Sequence, residues 1–200
     1  MKESVTFGRW QEKPLEWLII NDDGASLTLW CKQAVTKMTF SESCSAYYAE
    51  SDVRRFLEGE FYENAFSEEE KARILKTELD CTEYQTYYGA VGVGATAYRR
   101  EPLCDHVFLL SIREIMKTYA LTNEEIYHEN AGMLWTRSPE SHRSVSLVNC
   151  SAEILRGESP YTYESRSYDH TTGMVDSTTF PYFGFATNTS SIVPAVRIKK

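Results

Sequence analysis

The sequence predicts an α+β fold in one domain, residues 1–200, and three observations predict it. Apolar runs of strand length recur along the chain, among them Leu15–Ile20, Val107–Leu110, Gly132–Pro139 and Ile192–Ile198. Two other stretches carry apolar residues at helical spacing behind serine caps, at Ser51 and Ser111. Composition is that of a globular chain long enough for a real core: 200 residues, 42% apolar and 25% charged.

Val5–Phe7, Leu15–Ile20 and Ser26–Lys32 read as the first three strands. The second is apolar on both faces toward its end, which places it inside a sheet. Asn21-Asp22-Asp23-Gly24 supplies residues that tolerate positive φ, the chemistry of a hairpin. Its carboxylates are also oxygen ligands, but no glutamate follows at the distance an EF-hand loop needs, so calcium is not expected. Lys37–Tyr48 is polar and serine-bearing and reads as a loop.

Ser51 or Asp52 caps a helix with Val53, Phe56 and Leu57 on one face, and Gly59 stops it as a C′ glycine. Phe61, Tyr62 and Phe66 continue the apolar face. Ser67-Glu68-Glu69-Glu70 is a capping box, so these acids open a helix and do not form an acid–base cluster. Ile74 to Cys81 extends as a strand. Tyr84–Arg100 has glycines at 89, 92 and 94, without the spacing of a phosphate-binding loop, and reads as a flexible loop or a bulged hairpin.

Val107–Leu110 is a fully apolar strand that hands over to the second helix at the capping box Ser111-Ile112-Arg113-Glu114. Ile112, Ile115, Met116 and Tyr119 form that helix's apolar face. Thr122-Asn123-Glu124-Glu125 repeats the capping pattern, and His128 reads as a dipole partner or surface residue. Gly132–Pro139 is a short buried strand that its proline turns into solvent, with Val107–Leu110, Ser144–Val148 and Ile192–Ile198 as expected neighbours. Gly157–Thr179 is a long polar loop rich in aromatics, and loops of that length are usually functional or disordered. Ile192–Ile198 closes the sheet.

The net charge of −8 disfavours a nucleic-acid partner and an anionic membrane surface. No run approaches the ~20 apolar residues of a membrane span, so membrane insertion is not expected. Met1-Lys2-Glu3-Ser4 leads straight into a strand with no signal peptide, which points to the cytoplasm. Five cysteines with no C-x-x-C pair fit reduced, mostly buried thiols. Cys104 and His106 lack the paired spacing of structural zinc, so no metal and no cofactor is expected.

Five motifs in order carry a resemblance: Phe7-Gly8 with Pro14-Leu15-Glu16-Trp17; Val53-Arg54-Arg55-Phe56-Leu57 with Phe61-Tyr62 and Ala65 to Glu70; Asp105 to Ser111; Leu134-Trp135-Thr136-Arg137-Ser138-Pro139; and Val193 to Ile198. The set resembles the DUF6273 family, a bacterial domain of unknown function, over nearly the whole chain. The family's Trp-Trp-Leu-Arg-Ser-Pro-Gly pattern is altered here at Leu134, Thr136 and Glu140, and its closing Gly-Val-Arg-Pro-Ala appears as Ser191 to Ala195 without the arginine. The family in turn is similar to the C-type-lectin-like fold, including the formylglycine-generating-enzyme type. That likeness implies a small antiparallel sheet core, two main helices and long loops.

The reading that follows is a non-catalytic module for a carbohydrate or protein ligand, using Trp135, Arg137, Tyr161, Tyr163, Asp169 and His170. Aromatic faces would stack on the ligand, and Arg137 would pair with a carboxylate or an amide. The structural reading of Trp135 and Arg137 competes: a core tryptophan, and an arginine held by a buried carboxylate or loop carbonyls. No catalytic residue is assigned, because there is no Gly-x-Ser-x-Gly elbow and no evident pair of cysteines like the copper site of the formylglycine-generating enzymes. The alternatives are a protein-interaction domain of a surface or phage-encoded assembly and a metal-dependent oxidase.

Overall fold

Three consecutive hairpin-forming strands start the chain: β1 (Ser4–Trp10), β2 (Lys13–Asp22) and β3 (Ser26–Cys31). The computed structural model describes residues 3–80, 83–89, 92–98, 102–111, 114–115, 118, 132–139, 144–149, 164–168, 175–179 and 182–200. At the β2–β3 turn, Asp22 accepts the Gly24 N–H at 2.9 Å, and Asp23 accepts those of Ala25 and Ser26 at 3.0 and 2.6 Å. Gly24 takes φ +89°. Both aspartates are therefore spent on the turn. The Ser26 hydroxyl and N–H, with Arg197, hold the Asp23 carboxyl far below the usual range.

The last strand returns to this sheet. β16 (Ala195–Lys199) pairs antiparallel with β3 on one side and with β9 (Val107–Phe108) on the other, giving the order β1-β2-β3-β16-β9. A second five-stranded sheet has the order β14-β11-β10-β15-β4, from β4 (Thr36–Thr39), β10 (Met133–Pro139), β11 (Ser144–Asn149), β14 (Tyr182–Phe185) and β15 (Thr189–Ile192). β10 lies at its centre, antiparallel to β11 and parallel to β15.

Three expectations change here. Of the neighbours expected for Gly132–Pro139, the 144–148 run pairs with it, but Val107–Phe108 and most of 192–198 belong to the first sheet. The 192–198 run is two strands, because Pro194 has no N–H for a ladder and the chain changes sheets there. The Pro194 carbonyl is used instead by the Cys31 N–H, at 2.9 Å. The start of the expected 37–48 loop is edge strand β4, whose exposed Lys37 and polar neighbours suit an edge and hide the strand in the sequence.

Three small sheets complete the strands: β5 (Thr77–Leu79) with β8 (Leu103–Asp105), β6 (Glu83–Gly89) with β7 (Gly92–Tyr98), and β12 (Glu164–Tyr168) with β13 (Val175–Thr179). Within the 84–100 stretch the described residues form a hairpin, the second of the two readings, in unbroken register from Glu83↔Tyr98 to Gly89↔Gly92 and without the expected bulge. The 157–179 stretch likewise contains a hairpin, Glu164↔Thr179 to Tyr168↔Val175, where the sequence suggested only loop.

Residues 52–65 form one helix, and Gly59 does not end it. A C′ stop needs a left-handed residue, and Gly59 is not at positive φ. The segment Leu57–Phe61 makes a π turn instead. The buried residues explain why. Val53, Leu57, Phe61 and Ala65 lie four apart. In an α-helix of 3.6 residues per turn, three such steps would swing the stripe by roughly 120°. The wider π turn keeps the stripe on the first sheet, where Phe61 meets Trp10 at 5.0 Å and Phe66 meets Phe7 at 5.3 Å. Each buried aromatic stabilises by about 2–3 kcal/mol.

The Ser67 capping box forms as expected and opens a short helix, Glu68–Lys71. The free Glu70 oxygen also accepts the Gly8 N–H at 2.7 Å. Among the described residues there is one main helix, not two. The helix at Ser111 is described only at 114, 115 and 118, with Ile115 buried, and the capping pattern at 122–125 and His128 lie outside the described residues. No described helix is long and apolar enough to cross a membrane.

Of the described cysteines Cys31 is buried, whereas Cys44 and Cys104 are exposed; Cys81 and Cys150 lie outside the described residues. Burial pushes the Cys31 thiol up to about 12. In the folded protein at pH 8, an alkylating agent followed by peptide mapping should label Cys44 and Cys104 within minutes. Cys31 should be labelled only on unfolding, because the thiolate is the reacting species.

Candidate functional site

β10 carries Leu134, Trp135, Thr136 and Arg137, and its register with β11 shifts between Trp135 and Pro139. All four are buried. The Trp135 indole donates to the Met38 carbonyl at 3.0 Å and meets Phe40 edge-on at 5.3 Å. Arg137, its side chain only 3% exposed, donates to the Leu109 carbonyl at 2.8 Å and to Glu114. The Arg137 backbone N–H reaches the Leu110 carbonyl at 3.1 Å.

Glu114 has two tasks. It completes the cap by accepting the Ser111 N–H and hydroxyl at 2.7 and 2.9 Å, and it pairs with Arg137. Burial alone would push its carboxyl up; the Arg137 hydrogen bond and charge, with the Ser111 donors, bring it below its ordinary 4.5. A carboxylate depressed on folding stabilises above the unfolded value and loses that stabilisation as pH falls. Glu114→Gln should therefore lose stability at pH 7 but decline less steeply below about pH 4.5 in urea titrations. Parallel curves for variant and parent would contradict this.

The other sequence candidates, Tyr161, Tyr163, Asp169 and His170, lie outside the described residues. Strand β12 runs between the two pairs, its ends Glu164 and Tyr168 about 13 Å apart.

A second constellation escaped the sequence reading. The π turn directs Glu58 at the start of β9, where one carboxylate oxygen accepts the N–H groups of His106 and Val107 at 2.7 and 2.8 Å. The other oxygen lies 3.3 Å from His106 Nδ1. The imidazole stacks on Tyr62, centroids 4.6 Å apart and planes 16° from parallel. Lys71 Nζ sits 5.6 Å over the Tyr62 ring and pairs with Glu63 and Glu68. Burial raises the Tyr62 phenol, and Lys71 opposes it. The Glu58 carboxylate thus meets the imidazole on its Nδ1 side, a contact of the kind that fixes a histidine's ring orientation.

Nothing local in the sequence announces this pairing, because Glu58 and His106 are 48 residues apart. Among the described residues, no group of three or more His, Cys, Asp or Glu could hold a metal ion. Beside the cluster Arg54 grips the fully buried Asp105 from two nitrogens, at 2.7–3.1 Å. The Arg54 guanidinium is raised by those bonds. The Tyr48 phenol, which accepts the Leu109 N–H, is pushed far up by burial and then by Asp105.

Residues 16–199 match the family described as a domain of unknown function, DUF6273. No curated protein matches the chain, and no solved structure does.

Proposed function

The chain belongs to the DUF6273 family, and from that premise we propose that it is a non-catalytic ligand-binding module of C-type-lectin-like architecture that takes a carbohydrate or a peptide. One observation carries the reading. The aromatic 157–179 segment contains a hairpin that pairs with itself and is strand-paired to neither large sheet among the described residues, as suits a recognition element set on a scaffold. Tyr161, Tyr163, Asp169 and His170, which flank β12, are the contact residues. Trp135 and Arg137 act as supports by fixing β10, since Arg137 is spent on Glu114 and the Leu109 carbonyl. The lectin-like architecture draws support from the position of the Trp/Arg strand at the centre of one sheet and of the terminal strand beside β3 in the other.

The test is a thermal-shift screen of the whole chain against sugars, peptides, calcium, copper and EDTA. A ligand at a hundredfold excess over Kd stabilises by about 2.7 kcal/mol, which a shift of several degrees reports. Tyr161→Ala with Tyr163→Ala should leave the unliganded Tm within about 2 °C and abolish that shift. A shift that survives both changes removes these tyrosines from the site. A stoichiometric copper-dependent shift would favour an oxidase, and a flat screen a protein partner, to be sought by pull-down.

A further inference from the structure

We draw no further inference here: the strongest candidate, the half-buried Glu58–Tyr62–His106 cluster where the π turn of the main helix meets β9, has its carboxylate taken up by two backbone N–H groups and the imidazole of that junction, and nothing in the structure shows what would occupy its exposed edge.

Discussion

Gly8→Ala should destabilise the fold by about 2–5 kcal/mol and lower the Tm by roughly 10 °C. Two separate costs add. Gly8 has φ +76°, a conformation that costs an L residue about 1–2 kcal/mol. A Cβ there would also lie 2.7 Å from the Ala65 carbonyl oxygen and from the Phe66 ring, so backbone or a packed aromatic must move, at about 1–3 kcal/mol. Any such movement also strains the hydrogen bond from Gly8 to Glu70, which joins β1 to the capping box.

Two other glycines separate these terms. Gly24 has φ +89° but open space around it, so Gly24→Ala should cost only the conformational term, about 1–2 kcal/mol. Gly59 has neither problem and lies in the helix, so Gly59→Ala should be neutral or stabilise by up to ~1 kcal/mol. Urea midpoints for the three variants decide it. Equal losses at Gly8 and Gly24 would mean that β1 does not approach Ala65 and Phe66 as closely as the structure has it.

What was legible follows the range of the signal. The caps at Ser51, Ser67 and Ser111 could be read because each bond closes within three residues. The β2–β3 turn was readable for the same reason. Gly59 misled, because a glycine at a helix end and a glycine in a π turn look alike until the packing of Val53, Leu57, Phe61 and Ala65 is known. Polar edge strand β4 was missed because no apolar alternation marks it.

The candidate site shows the same division. That an arginine in the Trp/Arg strand could be held by a carboxylate and loop carbonyls was readable from its burial in an apolar run, but not that the carboxylate would be the cap residue Glu114. Glu58 and His106 could not be paired at all. Their contact depends on an irregular helical turn meeting a strand from a distant part of the chain.

The same long-range logic sets the other large effect. Arg54→Met should cost about 3–5 kcal/mol, because it strips the guanidinium from a carboxylate with no solvent exposure. Asp105→Leu should cost less, since the Arg54 side chain is 29% exposed and its head can turn to water. The double variant should recover most of the first loss, because a buried ion pair replaced by apolar groups of similar volume is often close to neutral. A double-mutant cycle by urea unfolding should therefore give a coupling energy of about 2–3 kcal/mol. Strict additivity would show that the pair is not formed. Asp105 precedes His106, and Arg54 lies one helical turn before Glu58, so loosening this pair should also disturb the neighbouring stack. In Arg54→Met the NMR signals of the His106 ring should lose their ring-current displacement from Tyr62, whereas Glu114→Gln, acting at β10, should leave them in place.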